Sequence, residues 1–473
     1  MQLQIRASYT DLYQIAMGQA WFRQGLADRP AQFDYFFRRL PFDGGYVVFA
    51  GLGDVLAILA DWRFAAEDID YLAERGFDSN YLAHLSEFRF RGHLHAPREG
   101  EIVFPTEPVV RVEGSILETQ LVETMLLNVL NFQSLIATKA ARMRSVAGDG
   151  VLSDFGLRRA QGPGGVMAAR AAVIGGFDST SNVNAAQKYG LRAEGTMAHS
   201  FIQWHTDELT AFRQFAEARP GETVLLVDTY DTLRSGVPNA ITVAKEMEAR
   251  GQRLRAIRLD SGDLAFFARR SRAMLDNAGL GYVKIAASNQ LDEYVIRSLR
   301  QQQAPIDIFG VGTRLVTGHP DGALDGVYKL ASADGEPRIK LSENLTKVTL
   351  PGRKQVHRYF DRDGQFFGID GVALEGEPPP THLTHPFEEH KSLHCHAESS
   401  EPLLEPAMEN GEPVHASRAI EDIKAHAAER LALLPPEYRR FENPHTYKVG
   451  ISDQLQTLRN ELRKQHAKGK ATA

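Results

Sequence analysis

The sequence predicts an α/β protein whose central unit is a barrel, and three observations carry that reading. Between Val151 and Val327 short β-rich runs alternate with amphipathic stretches, the pattern of strand and helix units around a parallel sheet. The runs recur at intervals of about 20 to 30 residues, the size of one such unit. Run after run ends in a polar residue, and barrel enzymes carry their chemistry at the carboxyl ends of their strands. An open doubly wound sheet is the second choice, because periodicity separates the two poorly.

Seven strand-like runs stand out in order: Val151 to Asp154, Ala172 to Ile174 ahead of Asp178, Arg192 to Thr196, Val224 to Asp228, Ala256 to Asp260, Val283 to Ser288, and Ile306 to Gly310. Helices are expected between them over Asp207 to Ala218, Ala240 to Ala249, Asp263 to Ala278 and Leu291 to Arg300. Upstream, Ser115 and Glu118 have the spacing of a capping box ahead of a long apolar-periodic segment, Ile116 to Arg142, read as one or two helices. Residues before about Gly114 mix helical and strand signals. Downstream, Gly326 to Leu330 and His357 to Phe360 read as strands of a smaller β-rich piece, with a polar, basic stretch from Lys340 to Lys354 between them. Glu377 through Pro402, rich in Pro, His and Glu, reads as a loop or linker. The chain from Ser452 onward looks like a surface helix ending in a basic tail.

At 473 residues the chain exceeds one ordinary core and suggests two or three domains. The hydrophobic fraction of 43% and charged fraction of 24% are those of a soluble globular protein. No apolar run approaches the roughly 18 residues of a membrane span. The start, Met1 to Arg6, lacks a cationic then apolar pattern, so a cytoplasmic location is expected. The single cysteine, Cys395, fits a reducing compartment. A net charge of −6 argues against a general nucleic-acid binder, though small phosphorylated ligands need only a local cluster of cations and N–H groups.

The motifs sit at the strand ends. Glu194-Gly195-Thr196-Met197-Ala198-His199 puts a histidine after a Gly-Thr corner, with Asp228 at the end of the next strand as a candidate partner. A carboxylate on one imidazole nitrogen would make the other a better base or nucleophile. An isolated histidine would more often be a hydrogen-bonded core residue; the corner, the strand end and Asp228 shift that balance. Ile257-Arg258-Leu259-Asp260-Ser261-Gly262-Asp263 reads most simply as an ion pair with Ser261 capping the next helix. Alternation along the strand nevertheless points Arg258 and Asp260 the same way, where they can grip one ligand. Phe309-Gly310-Val311-Gly312-Thr313 offers glycines and a hydroxyl to a phosphate, a weak signal alone.

Taken together these blocks resemble the nicotinate phosphoribosyltransferase family, from the amino terminus to at least Lys354. The likeness rests on Thr10 to Gln14, Phe155 to Pro163, Gly195 to Phe201, Val227 to Asp231, Arg258 to Asp263 and Phe309 to Thr313, with Lys340 to Glu343 and Leu350 to Gly352 extending it. The resemblance implies the irregular α/β barrel of type II phosphoribosyltransferases with a second α+β domain. It divides the chain at residues 1–130, 131–327 and 328–473, the last packing with the first. It implies an enzyme that joins nicotinate to 5-phosphoribosyl 1-diphosphate, releasing pyrophosphate and forming nicotinate mononucleotide in NAD salvage. It also implies coupling to ATP hydrolysis through a phosphohistidine at His199, and a homodimer in which the tyrosine matching Tyr13 comes from the neighbouring subunit. In that frame Asp228 joins His199 in catalysis, and Tyr13, Phe155, Thr196 and Arg258 receive nicotinate. Arg158, Asp260, Gly312 and Thr313 receive the phosphoribosyl diphosphate. Mg²⁺ arrives on substrate, with Asp260 its protein contact and no protein cage. No prosthetic group, nucleic acid or membrane is implied.

Two look-alikes are set aside. Val224 to Gly236 resembles the diphosphate loop of type I transferases, but Thr229 separates the acids that loop needs. His394-Cys395-His396, with His382, His385 and His390 nearby, has one cysteine in a Pro-rich setting and reads as a solvated histidine cluster. The alternatives to the family activity are a nicotinamide phosphoribosyltransferase and a non-catalytic ligand-binding relative. Nicotinamide recognition uses an acidic residue in the segment aligned with Gln161 to Arg170, which here holds no Asp or Glu. Quinolinate, a dicarboxylate, would need a richer basic cluster.

Overall fold

A computed structural model describes residues 5–343 and 347–469, the last three by backbone alone. The chain forms two compact units, one of Met1–Leu135 with Ala323–Ala473, the other Ile136–Gly322.

The unit from Ile136 to Gly322 holds a six-stranded sheet in the order Ser179–Thr180, Val151–Asp154, Ile308–Val311, Lys284–Ser288, Ala256–Leu259, Val224–Leu226. Every neighbouring pair is parallel. A bridge from Thr180 to Ala193 adds the next segment of chain at one edge. The order is therefore cyclic apart from one gap: from Val224–Leu226 onward each strand lies beside its successor, and the last, Ile308–Val311, returns to pair with the first, Val151–Asp154. A doubly wound sheet reverses direction at a switch point and never makes that closing pair, so this is the barrel arrangement. Its irregularity is the gap between the Ala193 segment and Val224–Leu226, where no pairing is made among the described residues.

Five of the seven expected strands form where they were read. The Arg192 to Thr196 run makes only the bridge at Ala193. Ala172 to Ile174 is not a strand but the end of a helix, Gly164–Ile174, and the strand there is Ser179–Thr180. Val173 and Ile174 suggested extended chain, but four alanines earlier in the run favour helix and fill its buried face. The connecting helices Glu208–Ala218, Leu264–Asn277 and Glu293–Gln301 start at Asp207, Asp263 and Asp292, whose side chains accept from backbone N–H groups of the first turn. Asp263, not Ser261, is thus the cap of its helix.

In the other unit, Pro30–Phe37 pairs antiparallel with Gly326–Ala333 and Val110–Ser115 in a seven-stranded sheet. Ser115 and Glu118 make the reciprocal capping bonds of the expected box, opening Ile116–Leu121, which Glu123–Ala147 follows. A second sheet of six strands contains Lys354–Phe360 and Phe366–Leu374. The segment expected as a linker supplies three of its strands, His382–Thr384, Ser392–His394 and Ser399–Pro402. Ser392–His394 pairs with His382–Thr384, while Ser399–Pro402 and His382–Thr384 pair with the distant Lys354–Phe360 and Lys448–Ile451, which local composition does not reveal. Asp453–Gly469 is the expected terminal helix. The basic stretch from Lys340 to Lys354 is mostly irregular where described, and 344–346 lie outside the described residues. Among the described residues no helix is long and apolar enough to cross a membrane.

Candidate active site

The carboxyl ends of the parallel strands converge on Arg258. It leaves the strand Ala256–Leu259 and is 9% exposed. Its Nε donates to Ser288 Oγ at 3.0 Å, Nη1 to Thr196 Oγ1 at 2.7 Å and to the Met197 carbonyl at 3.2 Å, and Nη2 to Asp260 Oδ1 at 3.1 Å. A guanidinium carries five N–H groups, so one Nη2 N–H lies outside these four bonds. Ser288, at the end of Lys284–Ser288, also donates to Asp260 Oδ1. Burial alone would raise the Asp260 carboxyl; the Ser288 hydrogen bond and the Arg258 charge outweigh it and hold the group below its ordinary range. Arg258 and Asp260 therefore do share one side of the strand, as alternation required.

Phe155 follows Val151–Asp154, and the Arg258 guanidinium lies 5.8 Å from its ring centre. Two neighbours make room for that ring. A Cβ on Gly310 would sit 2.5 Å from two Phe155 ring carbons. Asp154, whose side chain accepts from Gly156 N at 2.8 Å and Thr180 Oγ1 at 2.8 Å, pins the turn; burial pushes its carboxyl up. Arg158 and Thr313 are exposed, and Gly312 precedes the short helix Thr313–Val316. Tyr13 belongs to the other unit, where it is half exposed on the helix Leu12–Arg23. Partial burial and the nearby Glu123 carboxylate raise its hydroxyl above the ordinary range.

His199 opens the helix His199–Trp204 and its side chain is 39% exposed. The expected bond to Asp228 is not made: Nε2 stands 4.0 Å from Asp228 Oδ1 and 3.9 Å from Asp260 Oδ2. The ring's hydrogen bond is made at the other nitrogen, Nδ1, with Thr229 Oγ1 at 3.0 Å. Asp228 turns its second oxygen to the adjacent strand end, accepting from Asp260 N at 2.8 Å and Ser261 Oγ at 2.6 Å. That is why Ser261 is unavailable as a helix cap. Asp228 Oδ1 is buried and has no hydrogen-bond partner.

Thr229 and Ser288 were missed as site residues. In the sequence Thr229 stands out as an interruption between Asp228 and Asp231 and as part of the family-like block Val227 to Asp231, with no role of its own. Asp231 itself caps the turn Thr232–Gly236, accepting from Leu233 N and Arg234 N at 3.1 and 2.9 Å. Ser288 carried no signal beyond its place at a strand end. Among the described residues no group of three or more His, Cys, Asp or Glu is placed to hold a metal ion. Of the histidine-rich segment, His394 and His396 are exposed, Cys395 is buried, and His382 Nδ1 is 2.7 Å from Asp453 Oδ1.

Comparison with known proteins decides the family. The profile described as "Nicotinate phosphoribosyltransferase (NAPRTase) family" matches residues 151–363, its N-terminal domain profile residues 9–131 and its C-terminal domain profile residues 353–459. The chain belongs to the nicotinate phosphoribosyltransferase family. It is 42% identical to the nicotinate phosphoribosyltransferase of Bacillus subtilis (strain 168), across 94% of this chain and 92% of that one. To the Caenorhabditis elegans nicotinate phosphoribosyltransferase it is 36% identical, across 97% and 93%. The crystal structure of human nicotinic acid phosphoribosyltransferase superposes with a TM-score of 0.87 at 33% identity, over 96% of this chain and 99% of that one. The family match thus runs about a hundred residues past Lys354, through strands that no sequence motif had marked.

Proposed function

We propose that this member of the family joins nicotinate to the ribose of 5-phosphoribosyl 1-diphosphate, releasing pyrophosphate and forming nicotinate mononucleotide for NAD salvage in the cytoplasm. The observation that carries the substrate reading is Arg258, a buried cation 5.8 Å from the Phe155 ring. An aromatic carboxylate needs a ring face and a cation together, and the free Nη2 N–H supplies the directed contact. The Gln161 to Arg170 segment, with no acidic residue, supports nicotinate over nicotinamide.

In this reading Phe155 and the Tyr13 of a neighbouring subunit sandwich the pyridine in a homodimer, while Thr196 helps orient its carboxylate through Arg258. Arg158 faces phosphate, and Gly312 with Thr313 receives the ribose 5-phosphate. The transition state is oxocarbenium-like, with charge growing on the departing diphosphate, so fixed cations around that group supply the main electrostatic help. Asp260 offers a hard oxygen donor suited to Mg²⁺ brought in on the substrate, where the ion would neutralise diphosphate charge. Asp260, fixed by Arg258 and Ser288, keeps its Oδ2 for a ribose hydroxyl or that ion.

His199 accepts the γ-phosphoryl group of ATP, an N–P bond forming as the β–γ P–O bond breaks and ADP leaves, and Asp228 steadies the imidazole. The phosphorylated ring places negative charge next to the diphosphate-binding carboxyl ends and shifts substrate and product affinities. His199→Ala is expected to abolish the stimulation of turnover by ATP; full ATP-stimulated turnover in that variant would overturn the coupling. The substrate test is competition: phosphoribosyl diphosphate, Mg²⁺ and equal nicotinate, nicotinamide and quinolinate, with and without ATP, products separated by chromatography. Nicotinate mononucleotide, raised by ATP, is the expected product. Nicotinamide mononucleotide would overturn the carboxylate assignment, and binding without product would favour a non-catalytic relative.

A further inference from the structure

A neutral imidazole carries one proton, and which nitrogen holds it decides what the ring can do. His199 meets different chemistry on its two sides. Nδ1 is 3.0 Å from the Thr229 hydroxyl. Nε2 faces two carboxylate oxygens, Asp228 Oδ1 at 4.0 Å and Asp260 Oδ2 at 3.9 Å. The Asp228 side chain is 1% exposed, its Oδ2 is engaged by Asp260 N–H and the Ser261 hydroxyl, and its Oδ1 has no donor.

A hydroxyl both donates and accepts, so Thr229 suits either tautomer. Carboxylates only accept. Two anionic oxygens on the Nε2 side attract an Nε2–H and repel an Nε2 lone pair, and the buried oxygen of Asp228 lacks the donor that such a group ordinarily finds. We propose that Thr229 is a positioning residue that holds His199 as the Nε2–H tautomer, its hydroxyl donating to Nδ1 and leaving Nδ1 the basic nitrogen. Adjacent residues at one strand end thus address opposite nitrogens of the same ring: Thr229 by a hydrogen bond, Asp228 by its charge. The threonine that spoils an acidic pair in the sequence is the group that orients the histidine. The bearing of this on turnover rests on the phosphohistidine reading; the tautomer does not.

The test uses full-length enzyme, free of ligands, with ¹⁵N-labelled histidine, its ring nitrogens read by long-range ¹H–¹⁵N correlation. Loss of signals in His199→Gln assigns them. Wild type and Thr229→Ser are expected to give a pyrrole-like Nε2 and a hydrogen-bonded, pyridine-like Nδ1. In Thr229→Val the Nδ1 signal moves toward that of an unbonded pyridine-like nitrogen. ATP-stimulated kcat falls about tenfold in the valine variant, the scale of one lost hydrogen bond, with little change in KM for nicotinate, and serine restores it to within about twofold. A pyrrole-like Nδ1 in wild type overturns the proposal, as does an Nδ1 signal or ATP-stimulated kcat unchanged by valine. Should the valine variant not fold, the wild-type and serine spectra decide the tautomer alone. Full ATP stimulation in His199→Gln would remove the phosphohistidine reading and leave the spectra to stand or fall separately.

Discussion

Two clusters of arginine and carboxylate, one in each unit, use the same residue types to opposite ends. Around Arg358, whose side chain is fully buried, arginine and carboxylate meet in close ion pairs: Nη1 donates to Glu101 at 2.6 Å, Nη2 and Nε to Asp370 at 2.6 and 3.1 Å, and Arg430 meets Glu101 at 2.8 Å. Phe366 and Phe104 line the guanidinium at 4.4 and 5.3 Å, and the Tyr447 hydroxyl donates to Asp370 at 3.0 Å. Around Arg258 the ring is left open. Asp228 keeps a buried oxygen without a donor, and the partly exposed His199 stands 4.0 and 3.9 Å from two carboxylates. A buried charge network closed off from solvent is architecture. One that leaves a buried carboxylate oxygen facing a partly exposed histidine is built to receive something.

The largest effect that would separate the two belongs to Arg358→Met. Removing the cation strands Glu101 and Asp370 in a dry interior, and breaking such a network costs about 3–5 kcal/mol. Denaturant unfolding should show that loss, with turnover per folded molecule kept within about twofold, as for distant sites that do not couple. A loss below about 1 kcal/mol would put the cluster on a level with surface pairs. Arg258→Lys is the mirror experiment. Lysine keeps the charge but not the planar fork that holds Ser288, Thr196 and Asp260 together, so kcat/KM for nicotinate should fall by about 10²–10³, the scale of losing a preorganised donor. If lysine sustains turnover, Arg258 acts as a point charge and the fork is incidental.

The two clusters were also unequally legible in the sequence. Arg258 and Asp260 are two apart on one strand, so alternation brings them together from local spacing alone. The Arg358 cluster draws on Glu101, Asp370 and Arg430, which only tertiary packing assembles. The barrel itself followed from the recurrence of strand-like runs with polar residues at their ends, and its cyclic order is what the spacing allowed. Ala172 to Ile174 failed because two β-branched residues outweighed the alanines before them. The partner of His199 was misjudged because a carboxylate is the commoner orienting group, while Asp228 turns one oxygen to the neighbouring strand instead. The pairing of Glu377 to Pro402 with Lys354–Phe360 and Lys448–Ile451 has no local signature.

Acid sharpens the comparison at a smaller scale. Burial pushes the Glu101 carboxyl up, but Arg358, His426 and Arg430 pull harder and bring it from its ordinary 4.5 to about 2. A carboxyl held lower in the folded than in the unfolded chain stabilises above the unfolded value, and loses that contribution as pH falls from about 4.5 to 2. In full this is about 3 kcal/mol. Glu107 acts in the opposite sense: burial and the neighbouring Asp370 charge hold its proton on, so its contribution is present below 4.5 and fades as pH rises toward its raised folded value. Unfolding free energy measured from pH 5 to 2 should therefore fall less steeply in Glu101→Gln than in wild type, by about one proton. Equal slopes would mean that Glu101 titrates normally and that its arginines do not reach it.

The smallest effect tests how finely the open cluster is shaped. At Gly310 an added Cβ would stand 2.5 Å from two carbons of the Phe155 ring, too close for both to stay. What yields is a partly exposed side chain rather than backbone, so Gly310→Ala should cost the fold no more than about 1 kcal/mol. The displaced ring, however, is the face proposed to receive the pyridine, 5.8 Å from Arg258. Its shift should raise KM for nicotinate about tenfold and leave kcat within about threefold, because a ring that binds ground state and transition state alike governs affinity more than the chemical step. An unchanged KM would mean that Phe155 packs the barrel mouth without touching substrate, and the aromatic half of the nicotinate reading would fall while Arg258 stood.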